Sequence, residues 1–261
     1  TTDWTGLELA DFAIEAVAET IDAKREVFAK LDRLTRPTAV LASNTSSLSI
    51  GDMAEVALHP ERVIGLHFFN PVPKMPLVEV VRAARSDDAS LATAIALAGR
   101  LGKTPIVCND SPGFVVNRIL IPYLSEAMMM AVEGMPITTI DEAMKRWGMP
   151  MGPFELLDEV GLDIAVHVLG SLHSSASDNV KVVTAMNLAI QKKWLGKKTG
   201  RGFYMHGKKR AKKLEVNAEF TSALAGGATA PPAAADEPQR LAAAEAIQWR
   251  LVLPMVNEMA K

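Results

Sequence analysis

His67 and Glu79 are a polar pair in two otherwise apolar runs of the sequence. His67 lies near the end of the β-rich run 62–69, and Glu79 lies twelve positions later, inside the apolar run 77–81. A buried carboxylate needs a partner. A histidine oriented by a carboxylate is a general-base arrangement, because the carboxylate fixes the tautomer and stabilises the imidazolium. The spacing also fits a strand-end histidine with satisfied hydrogen bonds and a glutamate at a sheet edge or in a salt bridge.

Small polar side chains follow another strand-like run. Residues Ser43–Ser47 read Ser-Asn-Thr-Ser-Ser and come directly after the β-rich run 38–42. Ligands of open α/β sheets bind beyond the carboxyl ends of the strands, so these hydroxyls and amides are candidates for binding a polar ligand. The same residue types also form helix caps and turns. Asn117 lies one turn into an apolar helical stretch, where its amide must find a backbone partner or a ligand.

Metal and nucleic-acid sites are not indicated. His167, His173 and His206 have no carboxylate or cysteine at ligand spacing, so no metal site is predicted. The basic run between residues 192 and 213 has few interleaved aromatic side chains, and a solvated face is the simpler interpretation than a phosphate site. The sequence contains neither a Walker phosphate loop nor the Gly-x-Gly-x-x-Gly turn of a dinucleotide fold.

The predicted secondary structure that must position these residues changes near Asp110, from alternating strands and helices to helices. Before it, strand-like runs alternate with helical patterns, which is typical of α/β units around a mainly parallel sheet. Strands are predicted over 13–17, 38–42, 62–69, 77–81 and 104–108, with one helix from about residue 21 to Pro37 and another over 87–101. After Asp110, helices are predicted over 114–133, 140–147, 154–169 and 180–192, and a loop over 197–204. The second domain is therefore expected to be all-helical.

Composition and charge exclude several classes of protein. The 261 residues are 49% hydrophobic and 22% charged, unlike a disordered or fibrous chain. A formal net charge of -2 gives no general attraction to nucleic acid or anionic lipid. No apolar run reaches the roughly 18 residues that a membrane span needs. The single cysteine, Cys108, fits a reducing compartment.

A linker and an internal repeat are predicted towards the end of the sequence. Residues 225–235 are rich in Ala, Gly and Pro and bury too little surface to offset ordering, so a mobile linker is expected. After it, Arg250–Met259 repeats Arg118–Ala127 with Arg, Pro and Glu at identical offsets. The repeat is either a chance likeness of two helices or a second copy of the helical domain. In the second case the helix around 249–259 should dock against the helix over 114–133.

Six blocks of sequence, in order, resemble the signature motifs of the 3-hydroxyacyl-CoA dehydrogenases. They are Ser43–Ser47, Gly65–Pro73, Leu77–Val80, Ser111–Arg118, Gly152–Asp158 and Lys198–Tyr204. The resemblance runs from about Asp3 to Tyr204 and implies an α/β part followed by an all-α part. Its domains would be a partial Rossmann-type NAD-binding domain over 1–110, a helical dehydrogenase domain over 111–222, a linker over 223–238 and the start of a second helical domain over 239–261.

The resemblance implies oxidation of an L-3-hydroxyacyl-CoA to the 3-ketoacyl-CoA, the dehydrogenase step of fatty-acid β-oxidation. By motif match, His67 is the general base and Glu79 its partner, while Ser46 and Asn117 contact the substrate oxygen. His67 would take the hydroxyl proton while hydride passes to NAD⁺.

The cofactor side of the site is implied in the same way. The family's nicotinamide-side contacts fall on Glu19 and Lys24, and Asn44 falls near the nicotinamide ribose. The opening strand, the glycine-rich turn and the acidic ribose-binding residue of the family are missing from this sequence. The resemblance therefore begins partway through the cofactor domain, and weak cofactor binding with impaired turnover is expected of this chain.

The sequence beyond Tyr204 resembles the multifunctional fatty-acid oxidation proteins. This implies a fragment of a protein that carries an enoyl-CoA hydratase domain upstream and forms a dimer or a larger complex with a thiolase. The cytoplasm is the favoured location, with mitochondria or peroxisomes as the eukaryotic alternative.

Two other functions stay open. A stand-alone 3-hydroxybutyryl-CoA dehydrogenase fits the motifs, although the sequence after Tyr204 disfavours it. A non-catalytic scaffold or dimerisation module is favoured by the missing glycine-rich turn. It is disfavoured by the presence of Ser46, His67, Glu79 and Asn117, none of which a scaffold needs. Binding of a nicotinamide cofactor separates these functions.

Overall fold

A five-stranded sheet forms the centre of the first part of the chain. The computed structural model describes residues 3–171, 179–207, 214–225 and 237–260, in two compact units over 1–117 and 118–261. The elements of the first unit are β1 (Phe12–Glu15), α1 (Ile21–Leu34), β2 (Val40–Ser43), α2 (Ile50–Ala54), β3 (Val63–Phe68), β4 (Leu77–Arg82), α3 (Asp88–Arg100) and β5 (Thr104–Asn109). All five predicted strands are present, and the short helix α2 was not predicted.

The strands lie in the order β1-β2-β3-β4-β5. β1 pairs with β2, β2 with β3 and β4 with β5 in parallel, whereas β3 and β4 are antiparallel. The predicted mainly parallel sheet is thus confirmed, with one hairpin inside it. β1, β2 and β3 run in one direction, so their carboxyl ends meet at one edge of the sheet.

Helices cover both faces of this sheet because its strands are apolar on both sides. α1 and α2 pack on one face, where Phe28 and Met53 lie in one core cluster with Leu41 and Val63 of the strands. α3 packs on the other face through Leu91 and Ala94. Burial on both faces explains why the central strands read as continuous apolar runs rather than alternating ones.

In the residues that the structure describes, the second unit is helical except for one short antiparallel ribbon and a single 3-10 turn. Its elements are α4 (Val116–Val132, which begins in the first unit), α5 (Ile137–Trp147), α6 (Pro153–Val160), α7 (Leu162–Ser171), α8 (Val180–Gln191), β6 (Tyr204–Met205), β7 (Glu215–Val216), α9 (Ala218–Ala225) and α10 (Glu237–Met259). The antiparallel pair β6 and β7 corrects the all-helical expectation. The prediction of a single helix over 154–169 is also wrong. The helix is interrupted at Gly161, because its φ of 103° is incompatible with a right-handed helix. Residues 226–235 of the predicted linker lie outside the described residues.

Two buried aspartates fasten the loop that carries the Lys198–Tyr204 motif. Asp158 on α6 accepts hydrogen bonds from the backbone amides of Phe203 and Tyr204 at 2.8 and 2.9 Å. Asp141 on α5 accepts the Tyr204 hydroxyl hydrogen at 2.6 Å and the amide of Phe154 at 2.9 Å. The motif therefore has a structural purpose in this unit, since it ties the loop to α5 and α6.

α10 docks on α4 and α5, as the repeat predicts. Arg118 binds Glu258 at 2.6 Å and Arg250 binds Glu126 at 2.5 Å. The arginine of each copy of the repeat thus pairs with the glutamate of the other copy, across the two helices. Beneath them, Ile247 and Leu251 are buried in the core of the unit.

Candidate active site

The hairpin of β3 and β4 sets His67 against Glu79. The two residues are direct partners in the antiparallel register, one residue before the end of β3 and near the start of β4. His67 Nδ1 lies 2.6 Å from Glu79 Oε2, and both side chains are buried. The prediction that the two groups lie within hydrogen-bonding distance is confirmed. The carboxylate accepts the Nδ1 hydrogen, which leaves Nε2 as the ring nitrogen able to accept a proton.

Aromatic rings surround this histidine. Phe69 and Phe114 lie with ring centroids 4.5 and 5.7 Å from the centroid of the His67 ring, and both rings are tilted against it. Phe114 itself is buried and adopts a positive φ of 52°, directly after Gly113 with a φ of 76°. The Ser-Pro-Gly-Phe turn therefore brings an aromatic wall to the base and excludes water from one side of it.

The second oxygen of Glu79 holds the start of α4. Oε1 accepts hydrogen bonds from the amides of Val115 and Val116 at 3.0 and 2.9 Å. These amides are among the free donors at a helix start, where a negative charge is stabilised. One carboxylate therefore orients His67 and also fixes the backbone that carries Asn117.

Asn117 reaches the Ser43–Ser47 loop. Its Nδ2 donates to the carbonyl oxygen of Ser46 at 3.2 Å, and the amide of Ser46 donates to Glu19 Oε1 at 3.0 Å. Asn44, on the same loop, accepts a hydrogen bond from the amide of Phe68 at 2.9 Å. The loop is thus fastened to β3 and to the start of α4, and Ser46 is held through its backbone.

Glu19 and Lys24 belong to a second polar cluster at the carboxyl ends of β1 and β2. Lys24 Nζ lies 3.1 Å from Glu19 Oε2 and 2.8 Å from Glu15 Oε1. Glu19 Oε1 accepts the Thr45 hydroxyl hydrogen at 2.5 Å. Burial would raise the pKa of Glu19, but the hydrogen bonds from Thr45 and Ser46 and the Lys24 ammonium together hold it below the usual range. Glu19 is therefore an anion with part of its side chain open to solvent.

Sequence reasoning missed Glu15, and it gave Thr45 no role beyond its place in the Ser43–Ser47 run. Glu15 is fully buried at the end of β1 and contacts Lys24 as well as the Ser43 hydroxyl. A signal was present, because a glutamate inside the apolar run 13–17 must find a partner. Its partner is nine residues away on α1, however, and spacing alone does not identify it.

The structure brings the predicted catalytic residues into one network and the predicted cofactor-side residues into another. His67, Glu79 and Asn117 are linked to Ser46 through the contacts above, and Ser46 joins this network to Glu19. Among the described residues no group of His, Cys, Asp or Glu could hold a metal ion. In that part of the chain no helix is both long and apolar enough to cross a membrane.

The edge of the sheet beyond β1 and β2 carries partly exposed polar groups. Glu19 keeps 31% of its side chain exposed, and Asn44 and Ser46 are partly exposed beside it. A carboxylate and an amide there can accept and donate hydrogen bonds to a polar ligand. This chemistry agrees with a ligand bound beyond the carboxyl ends of parallel strands.

Two family models match the chain. The NAD binding domain of 3-hydroxyacyl-CoA dehydrogenase matches residues 1–111, and the C-terminal domain of 3-hydroxyacyl-CoA dehydrogenase matches residues 113–206. Together they cover most of the chain, and their boundary falls at the turn before α4.

Solved structures with the same fold include FadB2 of M. tuberculosis, at 41% identity and a TM-score of 0.71 over 79% of this chain and 74% of that one. The 3-hydroxybutyryl-CoA dehydrogenase of Escherichia coli K12 matches at 37% identity and a TM-score of 0.73, over 82% of this chain and 46% of that one. The dehydrogenase part of multifunctional enzyme 1 from C. elegans matches at 26% identity and a TM-score of 0.61, over 95% of this chain and 55% of that one. The chain spans about half the length of the last two.

Proposed function

Because the chain belongs to the 3-hydroxyacyl-CoA dehydrogenase family, whose amino-terminal domain binds NAD, we propose that it oxidises an L-3-hydroxyacyl-CoA to the 3-ketoacyl-CoA. The observation that carries the proposal is the buried pair of His67 and Glu79, with Nδ1 and Oε2 2.6 Å apart. A general base oriented in this way is what removal of a hydroxyl proton requires. The cofactor, when bound, supplies the hydride acceptor.

His67 would take the hydroxyl proton of the substrate on Nε2. Glu79 would hold the ring in the required tautomer and stabilise the imidazolium as it forms. The surrounding Phe69 and Phe114 keep the ring in a largely dry environment, where the carboxylate acts on it more strongly than in water.

Ser46 and Asn117 would bind the substrate oxygen from which the proton leaves. The hydrogen bond from Asn117 Nδ2 to the Ser46 carbonyl places the two residues side by side. The Ser46 hydroxyl and the Asn117 amide can both donate hydrogen bonds to an oxygen that becomes a carbonyl. Positioning of this kind holds the reacting groups together before the reaction, so the step no longer depends on a chance encounter between them.

Glu19, Lys24 and Asn44 would form the cofactor side of the site. The support is their place at the carboxyl ends of β1 and β2, with the anionic Glu19 partly exposed. Oxidised nicotinamide carries a positive charge and a carboxamide donor, and both are stabilised next to a carboxylate.

We further propose that residues 239–261, most of α10, begin a second helical domain in a multifunctional β-oxidation protein. The predicted linker over 223–238 is too long at both ends, because α9 runs to Ala225 and α10 begins at Glu237. Arg118 and Arg250 exchange their glutamate partners, as two copies of one motif related by symmetry would. The outer face of α10 exposes Trp249 and Leu253, whereas Ile121, the counterpart of Leu253 on α4, is buried. An enoyl-CoA hydratase domain, a dimer or thiolase complex and a cytoplasmic location stay predictions.

The alternative of a stand-alone 3-hydroxybutyryl-CoA dehydrogenase predicts the same chemistry at the same residues. The scaffold alternative predicts none. A preference for short acyl chains that does not depend on α10 would favour the stand-alone dehydrogenase. Absence of all NAD-dependent chemistry would favour the scaffold.

The test is NADH formation from L-3-hydroxyacyl-CoA substrates of several chain lengths, followed by absorbance. In a form of the protein that also carries the family's glycine-rich cofactor turn, His67→Gln should lower kcat by roughly 10²–10⁴-fold, the usual contribution of a positioned base. His59→Gln is the matched control, because that histidine lies on the surface turn before β3 and is 41% exposed. Equal rates for the two variants would reject the proposed role of His67.

A further inference from the structure

We infer that Asp110 is a positioning residue, which holds the stretch of chain that carries Ser46 and the stretch that carries Asn117 in place relative to each other. The inference rests on the proposed function, because that function assigns the substrate oxygen to Ser46 and Asn117. Asp110 lies one residue beyond β5 and directly before the Ser-Pro-Gly-Phe turn. Its side chain points to neither end of that turn but to the start of α2.

The carboxylate of Asp110 binds the first residues of α2. Its Oδ2 accepts the Ser49 hydroxyl hydrogen at 3.0 Å and the backbone amide of Gly51 at 2.8 Å. The Ser49 oxygen in turn accepts the amide of Asp52 at 3.1 Å, as a helix N-cap does. Because a carboxylate only accepts, the single hydroxyl hydrogen of Ser49 is directed at Asp110.

The backbone of Asp110 is fixed by the sheet. Its amide donates to the carbonyl of Arg82 at 2.9 Å, which continues the pairing of β4 and β5 by one residue. A short side chain on a fixed backbone has few conformations to choose from. The start of α2 is therefore held at a defined place beside the end of β5.

Two cross-links join the same two stretches of chain, residues 46–51 and 110–117. One is the Asp110 carboxylate, bound to the start of α2. The other is the hydrogen bond from Asn117 Nδ2 to the Ser46 carbonyl at 3.2 Å. The two stretches and the two cross-links form a closed ring, so a displacement at Asp110 is passed on to the pair of Ser46 and Asn117.

Both stretches of the ring contain tight turns, which leave them little slack. The Thr45 hydroxyl oxygen accepts the amide of Leu48 at 3.0 Å, which folds the first stretch. The Phe114 amide donates to the carbonyl of Ser111 at 2.9 Å, which folds the second. Each turn thus transmits the position of one cross-link to the other.

The geometry requires an oxygen at residue 110, and it does not require a charge. Both donors converge on one atom, Oδ2. The oxygen of an asparagine can accept the same two hydrogen bonds, whereas a methyl group accepts none. Asp110→Asn should therefore behave like the native chain and Asp110→Ala should not. A residue that acted on the substrate through its charge would fail in both variants.

The first experiment needs neither cofactor nor substrate. The side-chain amide signals of Asn117 are followed by ¹⁵N NMR in the native chain and in Asp110→Ala, Asp110→Asn and Asp52→Ala. Asp52→Ala is the matched control, because it removes an exposed carboxylate from the same helix start. The Asn117 signals should move towards those of a free amide in Asp110→Ala alone. Unmoved signals in Asp110→Ala, or an equal movement in either other variant, would overturn the inference.

Ser49→Gly guards against an Asp110→Ala chain that does not fold. It removes one of the two donors to Asp110, and a glycine is well tolerated at a helix N-cap. The Asn117 signals should move in the same direction as that expected for Asp110→Ala, by a smaller amount. If Asp110→Ala does not fold and Ser49→Gly leaves the Asn117 signals in place, the inference is wrong.

The second experiment measures kcat and KM in a form of the protein that also carries the family's glycine-rich cofactor turn. Displaced groups at the reacting oxygen slow the chemical step, so Asp110→Ala should lower kcat by roughly 10–100-fold and change the KM for the acyl-CoA little. The stoichiometry of NADH binding, which reports the folded fraction, should stay the same. Asp110→Asn should recover most of the lost kcat. No recovery in Asp110→Asn, or a rise in the KM alone, would contradict the inference.

Failure of the proposed function has a different signature. Absence of turnover by the unmodified protein would count against the dehydrogenase activity. The NMR signals of Asn117 would still decide whether Asp110 positions that side chain against Ser46.

Discussion

At the scale of single residues, Glu79 does two things with one carboxylate. Oε2 binds His67 Nδ1, and Oε1 binds the amides of Val115 and Val116. A neutral amide could replace one of these functions but not both, because its oxygen accepts and its nitrogen only donates. The charge on Glu79 therefore serves the base and the helix start that carries Asn117.

Glu79→Gln should lower kcat by roughly 10²–10⁴-fold, because the imidazolium of His67 loses its compensating charge. The KM for the acyl-CoA should also rise, since either His67 or the amides before Asn117 lose their acceptor. Steady-state NADH formation measures both quantities. Glu61→Gln, an exposed residue before β3, is the matched control and should change neither.

Much of this site could be predicted at the residue scale, and the reasons for the gaps are physical. The spacing of His67 and Glu79 left open that Glu79 lies at a sheet edge and is not the partner of His67, because hydrophobic periodicity does not reveal the order of the strands. The register of β3 and β4 decides between these alternatives, because it places the side chains of His67 and Glu79 opposite each other. Glu15 was missed because its partner lies on a helix, at a spacing that no single element explains.

At the scale of elements, the second unit depends on carboxylates inside its core. Asp141 and Asp158 hold the turn before β6 against α5 and α6. The pattern predicted α4, α5 and α8 because apolar periodicity reports a buried face, and it missed the short helix α9. It failed at β6 and β7, since two-residue strands have no periodicity, and at Gly161, since one glycine inside an apolar run does not reveal its φ.

The pH dependence of stability should report on Asp141. Burial raises the pKa of this carboxyl from 3.8 to about 7, although the bonds from Tyr204 and Phe154 oppose the rise. The folded state thus holds a proton that the unfolded state loses near pH 4. This contribution to stability is present below pH 4 and is lost as the pH rises through 7, by at most about 1.4 kcal/mol per pH unit.

Urea unfolding at pH 5, 6 and 7 measures this slope. Asp141→Asn has no proton to lose, so its free energy of unfolding should fall less between pH 5 and 7 than that of the native chain. The amide keeps an oxygen for the Phe154 amide, and a nitrogen that can donate to the Tyr204 hydroxyl. Identical slopes for the two proteins would show that Asp141 does not titrate in this range.

The turn before β6 has no room for a side chain at Gly202. A Cβ there would lie 2.0 Å from Asp158 Oδ1 and 2.7 Å from the Cα of Gly196. Gly202→Ala should therefore destabilise the second unit by about 3 kcal/mol or more, because the strain falls on buried groups. Gly207→Ala, where a Cβ meets nothing within 4 Å, should change the melting temperature little. A melting temperature for Gly202→Ala equal to this control would disprove the packing argument.

At the scale of the whole molecule, α10 completes the second unit by two kinds of contact. Arg118 and Arg250 form ion pairs at its rim, and Leu251 and Ile247 fill the core. The arginines are more than a third exposed, and ion pairs of that kind contribute about 0–1 kcal/mol each. Apolar burial therefore holds the helix, and the ion pairs fix its register on α4.

Leu251→Ala should lower the free energy of unfolding by about 2–5 kcal/mol, the usual cost of a cavity in a core. Leu253→Ala, two residues away and 48% exposed, should cost well under 1 kcal/mol. Denaturant unfolding of the two variants measures the difference. Limited proteolysis should likewise cut within α10 faster in Leu251→Ala than in Leu253→Ala. Similar costs for both leucines would mean that α10 does not dock through Leu251.

The antiparallel hairpin of β3 and β4 makes the chemistry sensitive to a one-residue shift in strand register. Side chains alternate between the faces of a strand, so moving β4 along β3 by one residue would set Val78 or Val80 opposite His67. The carboxylate would then face the opposite side of the sheet, with every apolar residue of β4 inverted beside it. β4 is apolar on both faces, so the fault would lie in Glu79, whose carboxylate would be buried on the side of the sheet that packs against α3, without His67. A misaligned base would therefore also be a destabilised protein.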